Sequence, residues 1–218
     1  CVKLRDWQEA SKAYQKALEL GKENSDPRLL AALGKTLFMT GNVESALEVF
    51  RKIKEANLQK RDLWIARCLV DKNRWTRAVT VLLKFTEENS DNKEALEMLA
   101  HIYSETNRLH ESADIYKRLI RLTPETKRYV TNLAAVKVKS KQPKKAIDIL
   151  EFYCRMYAVP DGDWLRMLAD LYASEKMYYQ AVQSYEHLIT LGMAKNGCDC
   201  FEGRANSSGS WKYSYSSR

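Results

Sequence analysis

Apolar residues recur along this chain at the three- and four-residue spacing of a buried helix face. Between Leu30 and Phe50 the pattern predicts two short amphipathic helices with a Gly-Asn break between them. Leu33, Gly34 and Leu37 share one face of the first helix, and Ala46, Phe50 and Ile53 share one face of the second. Gly41-Asn42 ends the first helix and Val43 opens the second. Gly34 and Ala46 are small, as residues must be where two helices approach closely. The pair is a hairpin, and a hairpin of this length cannot bury its apolar faces alone.

The same unit repeats. The small residue in the middle of each second helix falls at Ala10, Ala46, Ala78, Ser112, Ala146 and Ala181, at separations of 36, 32, 34, 34 and 35 residues. Four residues after each comes a large apolar side chain: Tyr14, Phe50, Leu82, Tyr116, Leu150 and Tyr185. Three residues before stand Trp7, Val43, Trp75, Leu109, Pro143 and Tyr178. In each first helix Gly34, Ala66, Ala100, Ala134 and Ala169 follow a bulky Leu or Ile.

This phasing resembles the tetratricopeptide repeat family, whose units of about 34 residues carry Leu-Gly/Ala, aromatic, small and Pro positions at fixed offsets. Pro124 falls at the closing proline position, while Asn73, Asn107, Lys141 and Lys176 stand where the family has its turn glycine. The resemblance implies an all-α fold, an α-solenoid of antiparallel helix pairs wound as a right-handed superhelix. It covers residues 1–192, with repeats near 1–26, 27–58, 59–92, 93–126, 127–161 and 162–192. The first unit is partial. Residues 1–5 read as the tail of its first helix and Trp7 to Leu20 as its second. Cys1 therefore falls inside a repeat, and the chain reads as an internal stretch of a longer array. Asn24-Ser25-Asp26-Pro27, Asn89-Ser90-Asp91-Asn92, Thr123-Pro124 and Pro160-Asp161-Gly162-Asp163 are turn or capping clusters between units. Residues 193–218, rich in Ser, Gly and Tyr without helical period, read as a flexible tail.

Composition adds limits. The 218 residues are 45% hydrophobic and 29% charged, with only 8 Gly and 4 Pro, which suits a mostly helical globular chain. No apolar run is long enough for a membrane span, and no signal-peptide pattern is present. The net charge of +8 permits nucleic acid, anionic membrane or acidic peptide as partner without choosing among them. Five cysteines form no paired framework; Cys68 and Cys154 read as small core hydrophobes. Unpaired thiols and missing export signals favour a cytoplasmic location.

The family resemblance also implies a concave groove lined by the first helices. Carried over position by position, it points to Arg28, Lys35, Phe38 and Met39 from the second unit, and to Lys60, Leu63 and Arg67 from the third. Glu97 and His101 follow from the fourth, Arg128 and Lys139 from the fifth, and Arg166 from the sixth. The charges alternate, so a peptide of complementary charge fits, with Phe38, Met39, Leu63 and Val70 as an apolar seat. Some members of that family clamp a terminal carboxylate with Lys and Asn residues. Asn132 and Arg166 match that clamp, but Glu97 and His101 stand where Lys and Asn are needed, and Glu97 repels a carboxylate.

Other chemistry is weakly signalled. Lys127 to Lys145 holds seven basic residues and no acid, a phosphate-gripping pattern, yet Tyr129 is its one aromatic stacking partner. Cys198-Asp199-Cys200 lacks the second ligand pair of a structural zinc site. His101, His110 and His187 stand apart, with no triad, phosphate loop or metalloprotease motif around them. Neither metal nor cofactor is expected. The sequence therefore reads as a non-enzymatic scaffold or adaptor that binds a peptide or partner protein in its groove. The alternatives are a nucleic-acid-associated repeat protein using the 127–145 patch, and a docking or regulatory part of a larger enzyme.

Overall fold

A computed structural model describes residues 2–20, 26–53, 60–157 and 161–192. Every regular element among them is a helix: α1 (Val2–Leu20), α2 (Pro27–Met39), α3 (Val43–Lys52), α4 (Arg61–Asp71), α5 (Trp75–Glu88), α6 (Lys93–Glu105), α7 (Leu109–Leu122), α8 (Arg128–Lys139), α9 (Pro143–Met156), α10 (Gly162–Ser174) and α11 (Tyr178–Thr190). The chain divides into two compact units, Cys1–Ala146 and Ile147–Arg218.

In the first unit α2 pairs with α3, α4 with α5, and α6 with α7, each pair joined by a three-residue turn that makes it antiparallel. Each hairpin packs on the next, α3 on α4, α5 on α6 and α7 on α8, and the first helices also meet directly, α2 with α4 and α4 with α6. The small residues sit where the pattern placed them. Gly34, Ala46, Ala66, Ala78, Ala100 and Ser112 are all buried. The Ser112 hydroxyl donates to the Ala100 carbonyl at 2.8 Å, which ties the two helices of one hairpin together. At Gly34 the approach is closest. A Cβ there would lie 2.7 Å from the Phe50 ring, and Phe50 is fully buried.

Each hairpin turn has the same geometry. Gly41, Asn73, Asn107 and Lys141 adopt positive φ, as does Lys176 in the second unit. The next amide then bonds back five residues, as in Asn42 N to Leu37 O (2.9 Å), Arg74 N to Leu69 O (2.8 Å) and Gln142 N to Lys137 O (2.9 Å). This is the Schellman closure, and it satisfies carbonyls that the helix end leaves open. Helix starts are capped where the linker clusters lie. Asp26, Asn92 and Asp161 accept backbone N–H bonds from Arg28, Ala95 and Asp163.

The N-terminal segment differs from the sequence reading. Val2–Leu20 is one continuous helix, with no break before Trp7. A left-handed turn at Arg5 would cost about 1–2 kcal/mol. Propagation of the existing helix is favoured instead. Trp7 lies on this end helix and is 37% exposed rather than core.

In the second unit α10 pairs with α11. Trp164 is fully buried, ringed by Tyr153 at 5.9 Å and Tyr157 at 5.5 Å between centroids. The 193–218 segment that reads as a tail, with Cys198 and Cys200, lies outside the described residues, as does Cys1.

Burial also sets the thiols. Cys68, fully buried on α4, is pushed up to about 11 by desolvation and by the Asp71 charge. Cys154 is likewise pushed up to about 11, mainly by burial. In the folded state both stay protonated past the ordinary thiol value of about 9, so the native chain holds more protons than the unfolded one in that window. Stability is therefore expected to be constant through neutral pH and to fall as pH rises from about 9 to about 11. Urea melts at stepped pH check this, and Cys68→Ala should flatten the fall. Gly34→Ala is expected to destabilise by up to about 2 kcal/mol net, because an overpacking cost of about 1–3 kcal/mol against Phe50 outweighs a helix-propensity gain of about 1 kcal/mol; chemical denaturation reads it. Lys141→Gly and Lys176→Gly should each raise stability by about 0.5–1 kcal/mol, since glycine removes the left-handed strain.

Candidate functional site

The first helices α2, α4, α6 and α8 carry the residues that the sequence singled out in the first unit, and they pack against one another or through their hairpins. Two clusters emerge along them.

At α2 and α4 the centre is Trp64, which is not among the groove positions that the family resemblance implies. It is only half-buried. Phe50 stacks on the indole at 5.6 Å and 14°, and Phe38 meets it edge-on at 5.9 Å. The Arg67 guanidinium lies over the ring at 4.7 Å and the Lys35 ammonium at 5.6 Å, both within cation–π reach. Lys35 is exposed, and Met39 one turn on is 49% exposed. The missed signal was spacing. Trp64 stands four residues after Lys60 and three before Arg67, which places all three on one helix face.

Leu63 is a correction. It was read as part of the apolar seat, yet it is 1% exposed and belongs to the core. It is one residue away from Trp64, and one residue turns a helix by 100°, so the buried and accessible side chains exchange roles.

The second cluster is electrostatic. Arg67 Nε reaches Glu94 Oε1 at 2.9 Å, bridging α4 and α6. Glu97 on α6 takes both the Arg128 guanidinium and the Tyr129 hydroxyl from α8. Burial and the neighbouring Glu97 carboxylate raise the Tyr129 phenol above its ordinary value. Lys139 donates to the Ser104 carbonyl at 2.6 Å and stands 3.8 Å from Glu105. The alternating charges of the expected groove therefore pair with one another from helix to helix. His101 is exposed, with its ring edge-on to Trp75 at 6.2 Å. Arg28 and Lys60 are exposed and make no ion pair among the described residues.

The 127–145 run is divided by the same pairing. Arg128 and Lys139 are engaged by α6, and Lys137 is held below the ordinary amine value by burial and by Lys117 and Lys145.

In the second unit Arg166 is exposed on α10. A cavity of about 350 Å³ is lined there by Glu151, Cys154, Tyr172, Gln183 and His187 among others. The Tyr172 hydroxyl donates to Glu151, and burial with that carboxylate raises the phenol. With its thiol held protonated at neutral pH, Cys154 is a poor nucleophile. Among the described residues no group of three His, Cys, Asp or Glu side chains is placed to hold a metal, and no helix is long and apolar enough to cross a membrane.

Comparison with known proteins agrees with this architecture. MamA from Desulfovibrio magneticus RS-1 (residue 41 to its end) superposes with a TM-score of 0.66 at 14% identity, covering 79% of this chain and 98% of that one. A MamA RS-1 double mutant gives 0.65 at 14% identity, covering 78% and 96%. Another MamA crystal structure gives 0.62 at 17% identity, covering 72% and 93%. At these identities the likeness shows the fold, a tetratricopeptide-like helical repeat of the α-solenoid class. No curated protein matches the sequence. The family model described as ChAPs matches residues 16–187, most of the chain. With its helix pairs and its residues 16–187 both accounted for, the chain belongs to the ChAPs family, the Chs5p-Arf1p-binding proteins.

Proposed function

We propose that this chain is a non-enzymatic protein–protein adaptor. It holds a partner along the face formed by α2, α4, α6 and α8, and its partners are of the kind its family is named for, Chs5p and Arf1p. One observation carries the reading: a stripe of exposed Lys35 and Met39 with half-buried Phe38 and Trp64 on two packed helices. Aromatic and cationic side chains on preformed elements are the residue types that dominate binding energy at protein interfaces. The helix-to-helix ion pairs support it, because they fix the face before a partner arrives and so lower the ordering cost of binding. The free thiols of buried Cys68 and half-buried Cys154 fit the cytoplasm as its place of action.

The test is capture. Immobilised full chain is expected to retain purified Chs5p or Arf1p at about 150 mM salt, near the physiological ionic strength. Phe38→Ala combined with His101→Ala should weaken retention at least about tenfold, while Arg77→Ala on α5 should leave it unchanged. Circular dichroism verifies that the variants are folded. Retention of neither protein by the wild-type chain would overturn the reading.

A further inference from the structure

The charges of the α2, α4, α6 and α8 face are not distributed evenly once their pairing is known. Arg67, Arg128 and Lys139 each meet a carboxylate of α6. Arg28, Lys35 and Lys60 meet none among the described residues, and all three are exposed. Arg28 lies in the first turn of α2, and Lys60 is the N-cap residue of α4. Lys35 projects from α2 over Trp64 of α4. The positive ends of two helix dipoles add to this local excess. Asp26 is the acid beside Arg28, and its carboxylate is engaged in capping α2. Asp71 stands at the opposite, C-terminal end of α4, close in sequence to Val70.

Resting on the adaptor reading, we infer that this α2–α4 end is a docking site for an acidic partner segment that carries an apolar side chain, with Arg28, Lys35 and Lys60 meeting its carboxylates and Met39 with Phe38 seating the apolar group. Dimensions fit. From Arg28 to Met39 the helix rises about 16 Å, the length of an extended segment of about five residues. Acids therefore reach the cations while an apolar residue a few positions on reaches Met39. Nucleic acid fits less well. Base stacking needs an open aromatic face, and the Trp64 ring is already covered by Phe50 and by Arg67.

Fluorescence anisotropy of the full chain with a short labelled peptide, in which Asp and Glu residues flank a single Phe, tests it. Binding is expected at low salt and should weaken as salt rises. Lys35→Glu and Arg28→Glu should each weaken it about fivefold or more, and the triple reversal with Lys60→Glu should abolish it. Met39→Ser, or Ser in place of the peptide's Phe, should weaken it about fivefold without removing the salt dependence. Arg77→Glu on α5 should change nothing. Circular dichroism confirms folding, and the reversed side chains are all on the surface. Failure of the wild-type chain to bind the peptide overturns the inference, as does unchanged binding by the triple variant or tighter binding of a single-stranded oligonucleotide of equal charge. Each of these outcomes leaves capture of Chs5p or Arf1p to be judged on its own, so loss of the docking site and loss of the adaptor reading are read separately.

Discussion

The packing of Gly34 against Phe50 is the constraint on which this fold depends. Two helices can share one core only if some residue on each lets the other in, and in every described hairpin of the first unit that residue is Gly, Ala or Ser. Once the hairpin closes at that distance, its large residues fall into place behind it. Phe50, Leu82 and Leu119 become inaccessible, and Phe50 in turn supports the Trp64 ring of the next hairpin. The accessible cation–aromatic stripe is thus a consequence of a missing side chain one hairpin earlier. Core and surface are linked here through one stacked pair of rings.

Much of the architecture was legible because it is periodic. Small residues about 34 apart, capping residues at Asp26, Asn92 and Asp161, and turn residues at Gly41, Asn73, Asn107 and Lys141 each have a local cause that sequence displays. The surface was less legible because it depends on what lies across a gap between helices. Arg67 and Glu94 are 27 positions apart, as are Arg118 and Asp91, and sequence spacing does not say which charges will meet. A list of alternating charges looks like a binding surface until the partners are known. The exchange of Leu63 for Trp64 has a similar origin. Carrying a position over from a family fixes the face to within about one residue, and one residue is enough to exchange a core side chain for a surface one. The α1 segment shows the reverse limit. Its phase implied a break before Trp7, yet helix propagation carries Val2–Leu20 straight through it.

Pairing along the face also alters how its charge acts. Exposed ion pairs contribute little stability individually, about 0–1 kcal/mol each. Their greater effect is on the field that an approaching partner meets. Arg67, Arg128 and Lys139 are largely cancelled at short range by Glu94, Glu97 and Glu105. The chain's overall +8 charge attracts anions from a distance, but within a Debye length the local pattern of paired and unpaired cations outweighs the net charge.

The left-handed turns have a consequence for how such an array changes over time. Backbone conformation at these positions is imposed by the Schellman closure, while the side chain points away from the core and does little else. Glycine, asparagine and lysine all occupy them here. Each position is thus a dial on local stability that leaves the helix faces untouched. Lineages carrying this repeat can loosen or tighten one hairpin by a single codon without altering what the surface recognises, so robustness and specificity are free to drift independently.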